Sequence, residues 1–182
     1  MTDEAKINFM EDILRTLTDR GVRFVVAGGV AAVLHGVERT TMDIDISLDL
    51  SAQNVARFAE AMDALGLKPL IPVPVEALSD PDLVRVMVEE KNAIVFMLAD
   101  PAMPLRKVDV FLTPRLRYEN LAKDAIAVDI PGMQLQVVSM ERLLELKRAV
   151  DPPREKDLFD IRAIERLLEL RGKDAGDVAA GR

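Results

Sequence analysis

The chain has 182 residues, about half of them apolar, with a net charge of −7. That length fits one domain, or one domain with a small helical appendage, and the acidity disfavours non-specific nucleic-acid binding, which rests on phosphate neutralisation. There is no cysteine, so disulfides and thiolate metal sites are excluded; no apolar run approaches the roughly 18 residues that span a bilayer, and the opening MTDEAKINFM is not a basic segment followed by an apolar one, so the sequence predicts a soluble, cytoplasmic protein.

Ile7, Met10, Ile13, Leu14 and Leu17 recur at helical spacing, which predicts an amphipathic helix over residues 3–20, stopping before Gly21. VRFVVAGG is a short β-branched run ending at a glycine pair, a strand; VAAVLHG follows as a short helix with Gly36 as its stop. MDIDISL alternates and predicts a second strand. Ser51 is placed to cap a helix burying Val55, Phe58, Ala59, Met62 and Leu65. LKPLIPVPVEAL, with three prolines, predicts irregular chain, and SDPDLVRVMVEEKN a short helix with Pro81 in its first turn. AIVFMLA and KVDVFLT read as strands joined by a loop through Pro101 and Pro104. AIAVDIPGMQLQVVS reads as a hairpin about Pro131-Gly132, and Ser139 caps the helix MERLLELKRAV. Pro152-Pro153 breaks the chain before a last amphipathic helix, REKDLFDIRAIERLLELR, and the small, polar tail is expected to be loose. The order predicts a mixed α/β sheet with a helical C-terminal section.

Residues i and i+2 of a strand share a face, about 6.6–6.8 Å apart, so Asp43 and Asp45 face one way and Ile44 and Ile46 face the core. Two adjacent carboxylates repel, which raises the pKa of one unless a positive charge lies between them. A hard divalent cation resolves the repulsion. Asp109, between Val108 and Val110 in another apolar strand, is a third candidate. Three carboxylates on neighbouring strands suit two metal ions about 3.5–4 Å apart, an arrangement that serves phosphoryl chemistry. The plainer alternative is a solvent-facing strand neutralised by Arg39 or Lys107. Gly28-Gly29, between strand and helix, lets backbone N–H groups approach a phosphate, or is simply a tight turn.

Taken in order, Ala27-Gly28-Gly29, a short helix, Asp43-Ile44-Asp45 after thirteen intervening residues, and a later strand aspartate resemble the nucleotidyltransferase superfamily related to DNA polymerase beta. GGVAAVLHGVERTTMDIDI is most similar to the bacterial AbiEii-type toxin–antitoxin nucleotidyltransferases, and LLELKRAVDPPREKDLFDI resembles their Lys…Arg-x-Lys-Asp-x-x-Asp signature through Lys147, Arg154, Lys156, Asp157 and Asp160. The Gly-Ser and Ala-Arg-Gly of minimal nucleotidyltransferase antitoxins are absent, which speaks against that subgroup. The resemblance spans roughly residues 22–165 and implies a nucleotidyltransferase fold; the chain is then expected to form a core over 1–138 and a helical section of the same domain over 139–172, with the polar residues 173–182 as a flexible tail.

It further implies transfer of a nucleoside monophosphate from an NTP to a hydroxyl of tRNA or protein, with Mg²⁺ as cofactor (two ions, or Mn²⁺ in their place), by a toxin with a cognate antitoxin. Asp43, Asp45 and Asp109 are then the metal ligands and catalytic carboxylates. Gly28, Gly29, Arg39, Thr40, Lys147 and Arg154 bind nucleotide, and Asp157 and Asp160 aim the cations. Lys156 has a competing partner in Asp160 at i+4. His35 and Tyr118, the one histidine and the one tyrosine, read as packing residues ahead of nucleotide contacts. An aminoglycoside-type enzyme acting on a small molecule, or a catalytically silent nucleotide-binding protein, is the alternative.

Overall fold

A computed structural model describes residues 3–180, with side chains described for residues 9–173. The first helix, α1 (Asp3–Asp19), buries Ile13, Leu14 and Leu17; the side chain of Ile7, assigned to the same face, lies outside those described. The chain continues through β1 (Phe24–Val26), α2 (Gly28–Leu34), β2 (Ile44–Leu48), α3 (Ala52–Ala64) and the two-residue β3 (Lys68–Pro69). A 3₁₀ turn over Val75–Ser79 leads to α4 (Pro81–Glu89), then β4 (Val95–Ala99), β5 (Lys107–Phe111), the short α5 (Tyr118–Leu121), the hairpin β6 (Ile126–Ile130) and β7 (Met133–Val137), and finally α6 (Met140–Arg148) and α7 (Glu155–Ala180). Among the described residues no helix is long and apolar enough to cross a membrane.

The seven strands form one sheet in the order β3-β4-β5-β2-β1-β7-β6. β2 runs parallel to β5 and β1 parallel to β7, and the remaining pairs are antiparallel. β1 lies inside the sheet, and all three of its residues are buried, which is why Phe24-Val25-Val26 reads as an unbroken apolar run. In β2 and β5, Ile44, Ile46, Val108 and Val110 are fully buried on one face and leave the intervening aspartates to the other. α3 buries Val55, Phe58 and Met62 almost completely; each such side chain contributes about 1.5–3 kcal/mol over its exposed state.

Several turns follow the chemistry expected of them. Gly36 ends α2 with φ +99° and Gly132 turns the β6–β7 hairpin with φ +80°, a region that favours glycine. Ser139 caps α6, its Oγ accepting from Arg142 N at 3.3 Å. Asp80 caps α4, accepting from the backbone N–H groups of Asp82 and Leu83. Ser51 stands at the N-cap of α3 but makes no capping bond; its Oγ accepts instead from Arg23 at 3.2 Å. Residues 173–180, expected to be loose, continue α7 as helix, because extending an existing helix over alanine-rich chain costs little; residues 181–182 lie outside those described.

Candidate active site

The sheet order brings the sequence motifs together. β1 is antiparallel to β2, so the end of β1 lies beside the start of β2, and Ala27 N donates to Asp45 O at 2.9 Å. β2 is parallel to β5 with Asp45 directly opposite Asp109. Asp43, just before β2, shares their side. Asp43, Asp45, Asp109, Gly28 and Gly29 all line one cleft of about 450 Å³.

Gly28 has φ +57°, and a Cβ there would overlap the Asp45 carboxylate. Gly29 N donates to Asp45 Oδ2 at 3.4 Å, and a Cβ on Gly29 would collide with the Thr41 hydroxyl. Both glycines are therefore fixed by close approach: the turn backs directly onto the carboxylate.

Lys107 stands two residues before Asp109 on β5 and on the same face. Its Nζ lies 3.5 Å from Asp43 Oδ2 and 3.9 Å from Asp109 Oδ2. Of the two cations considered for neutralising the strand, Lys107 is the one that reaches it, at Asp43, whereas Arg39 pairs with Asp160. The three carboxylates differ in electrostatics as a result. Burial, then the charges of Asp43 and Asp109, push Asp45 up to about 6. Burial also lifts Asp109, and Lys107 only partly offsets it. Burial acts the same way on Asp43, but Lys107, the Thr41 hydroxyl and Lys156 together hold it below the ordinary carboxylate value.

The donor set suits a hard cation: all carboxylate oxygens, with Asp109 Oδ1 buried and without a hydrogen-bond partner among the described residues. As the side chains stand, no three acidic or histidine residues among those described are gathered closely enough to grip an ion.

The other wall comes from α6 and α7. Lys147 is buried with its Nζ 3.1 Å from Asp157 Oδ1 and 2.7 Å from Asp160 Oδ2, and both aspartates are fully buried. Arg154 grips Asp157 with two hydrogen bonds of 2.6 and 3.1 Å. Arg39 reaches across from the loop before β2 to Asp160 Oδ2 at 2.6 Å. Burial would raise Asp157, but the hydrogen bonds and charges of Arg154 and Lys147 hold it near 2. This bracket joins α6, α7 and the β2 loop, and Arg39, Lys147, Arg154 and the exposed Lys156 all line the cleft.

The structure therefore brings together Gly28, Gly29, Arg39, Asp43, Asp45, Asp109, Lys147 and Arg154. It does not bring Thr40, which is exposed, lies off the cleft lining and meets Arg39 only through its carbonyl. Its neighbour Thr41, also off the cleft lining, is the threonine that meets the carboxylates, donating to Asp43 Oδ1 at 3.1 Å; the alternation from Asp43 back to Thr41 is the signal for it. Lys156 makes no ion pair with Asp160, whose Oδ2 is already held by Lys147 and Arg39. His35 is buried and its Nε2 donates to Val138 O at 2.7 Å, a packing role. Tyr118 packs against the core away from the cleft.

Residues 12–180 match the family described as nucleotidyl transferase AbiEii toxin, type IV toxin–antitoxin system. No curated protein matches the chain. Among solved structures it is similar to the antibiotic-resistance factor ANT(2'')-Ia, at 15% identity over 98% of this chain and 96% of that one, with a TM-score of 0.60. It is also similar to the lincosamide antibiotic adenylyltransferase LnuA, at 17% identity over 92% and 98% with a TM-score of 0.59. An antigenic nucleotidyltransferase-like protein from Paracoccidioides brasiliensis follows at 16% identity over 91% and 77%, with a TM-score of 0.52. At these identities the likeness is one of fold.

Proposed function

The chain belongs to the AbiEii family of nucleotidyltransferase toxins of type IV toxin–antitoxin systems, and from that premise we propose that it transfers a nucleoside monophosphate from an NTP to a hydroxyl of tRNA or protein, in the cytoplasm and under the control of a cognate antitoxin. The observation that carries this reading is the in-register placement of Asp45 against Asp109, with Asp43 on the same side and Gly28 backed onto Asp45.

In the proposed reaction the acceptor oxygen attacks the α-phosphorus. The new O–P bond forms as the bond to the β-phosphate bridging oxygen breaks, and pyrophosphate leaves. Asp109 takes the hydroxyl proton: its carboxyl lies above the ordinary range and its Oδ1 has no other partner among the described residues. The Gly28–Gly29 turn, with no side chain in the way, lets the phosphates come close to the backbone beside Asp45. Arg154 and Lys156 line the opposite side and offset the pyrophosphate charge. Lys147 acts from behind them, holding Asp157 and with it Arg154. Asp43, Asp45 and Asp109 are the residues that would hold Mg²⁺, as one or two ions or with Mn²⁺ in its place. Bound there, a divalent cation would supply charge neutralisation at the phosphates and acidify the attacking hydroxyl.

A second reading has a small hydroxylated cation as acceptor. The similarity of fold to antibiotic-modifying enzymes along nearly the whole chain supports it, as does the net charge of −7. Incubation with each NTP labelled at the α-phosphate, in Mg²⁺, with total tRNA, a cell protein extract or an aminoglycoside and lincosamide panel separates the readings. Label on tRNA or protein is the expected result. Label on the small molecules alone would favour the second, and no label on any acceptor would overturn both.

A further inference from the structure

We infer that Lys107 is a built-in counter-cation of the carboxylate cluster, and that a divalent cation gains Asp43 and Asp109 only by displacing its ammonium group. The inference rests on the reading of that cluster as a metal site.

Lys107 and Asp109 are held on the same face of β5 by the pairing of that strand with β4, where Lys107 lies opposite Ala99 and Asp109 opposite Met97. The ammonium therefore cannot avoid the cluster without its stem swinging away. At 3.5 and 3.9 Å from its two carboxylates, it sits beyond the roughly 2.7–2.9 Å of a charge-assisted hydrogen bond. Lys147 is the contrast: it reaches 2.7 Å from Asp160 and its side chain is 8% exposed, whereas that of Lys107 is 30% exposed. Lys147 is locked in place; Lys107 is a point charge on a flexible stem with a path to solvent.

One positive charge is also too few. Three carboxylates share the site, and Asp109 Oδ1 is buried without a partner among the described residues even with Lys107 beside it. Lys107 thus lets three like charges fold into one cleft in the absence of metal, without satisfying them. A divalent cation brings twice the charge and accepts several oxygens at once, but it must first overcome repulsion from an ammonium a few ångströms away. The displaced ammonium remains at the cleft, where nucleotide phosphates would give it a new partner. Metal binding and nucleotide binding are coupled in consequence, and each must strengthen the other by the same factor.

The test is titration of the protein with Mn²⁺ alone, reading free Mn²⁺ by electron paramagnetic resonance. Lys107→Met should bind Mn²⁺ at least about tenfold more tightly than wild type, and Lys107→Arg, which keeps the charge, should not. Metal-free Lys107→Met should melt lower than wild type and recover more on adding Mn²⁺. Should that variant not fold, Lys107→Gln is read in its place. Equal or weaker Mn²⁺ affinity on loss of the charge overturns the inference. Asp45→Asn in the Lys107→Met background distinguishes the two levels. Loss of the tight Mn²⁺ site places the metal among the carboxylates; its retention would sink the metal-site reading itself, and no Mn²⁺ binding by any variant would sink both.

Discussion

Asp45 concentrates the electrostatic cost of the site. Burial and two neighbouring aspartates raise its carboxyl to about 6, above the ordinary value near 3.8 that it would have unfolded. The folded protein therefore binds a proton more tightly than the unfolded chain. The contribution to stability is fully present below pH 3.8 and is lost as pH rises through about 6, on the order of 2–3 kcal/mol across that window. Metal-free protein should accordingly lose stability between pH 4 and pH 7 through this group, and Asp45→Asn, neutral and of the same shape, should remove that slope and raise the melting temperature at pH 7 while eliminating nucleotidyl transfer. Melting curves at several pH values check the sign; a wild-type slope that survives in the variant would assign it to another group. Gly28 is constrained by the same carboxylate. Gly28→Ala demands both a φ of +57° and space that Asp45 fills, so it should cost about 1–3 kcal/mol and lower transfer by more than about a hundredfold, a loss equivalent to some 2.7 kcal/mol in the barrier. An active, stable Gly28→Ala would mean the turn moves freely. The sequence points to Lys147 as a phosphate ligand, and its residue type alone allows nothing sharper. A lysine pattern cannot distinguish a cation facing a ligand from one locked between Asp157 and Asp160, because all three sit on a signature that either role produces.

At the scale of elements, the site is a junction of β1, β2 and β5 with a bracket thrown over it by α6 and α7. Every strand but β3 is legible for a physical reason: β-branched, apolar runs bounded by turn residues leave few other structures, whereas the two-residue β3 lies in a proline-rich stretch that reads as irregular chain. The helices are legible from their apolar faces and from Ser139, Gly36 and Pro152-Pro153 at their ends. What could not be read is the pairing. That Asp45 lies opposite Asp109 depends on β5 entering the sheet beside β2, although more than sixty residues separate the two aspartates, and no local pattern specifies a neighbour so distant. The same holds for Arg39, whose partner Asp160 lies on the last helix. Thr41, which bonds Asp43, shares that aspartate's face by the strand period, whereas Thr40 does not. The bracket yields its own prediction. Lys147→Met would leave two fully buried carboxylates short of a partner, so it should destabilise the fold by about 3–5 kcal/mol in chemical unfolding. A lysine serving only phosphate would instead lower nucleotide affinity and leave the unfolding midpoint in place.

Over the whole molecule, charge is unevenly spread. The chain is acidic overall, yet Arg39, Lys147, Arg154 and Lys156 line the cleft and Lys107 stands beside its carboxylates. A metal–triphosphate complex meets both signs there: acidic groups for the cation and basic groups for the phosphates. The C-terminal helices take part in this arrangement: Lys147 stands on α6, Lys156 on α7 and Arg154 directly before α7. Nucleotide and metal together should stabilise the whole chain, by about 2.7 kcal/mol at a hundred times the dissociation constant. The most direct measurement is anomalous diffraction from crystals grown with Mn²⁺ and a non-hydrolysable NTP. The account predicts an anomalous peak bounded by Asp43, Asp45 and Asp109, with the triphosphate against the Gly28–Gly29 turn and Lys107 moved off the carboxylates. Manganese bound elsewhere, or a nucleotide whose phosphates lie away from that turn, would contradict it.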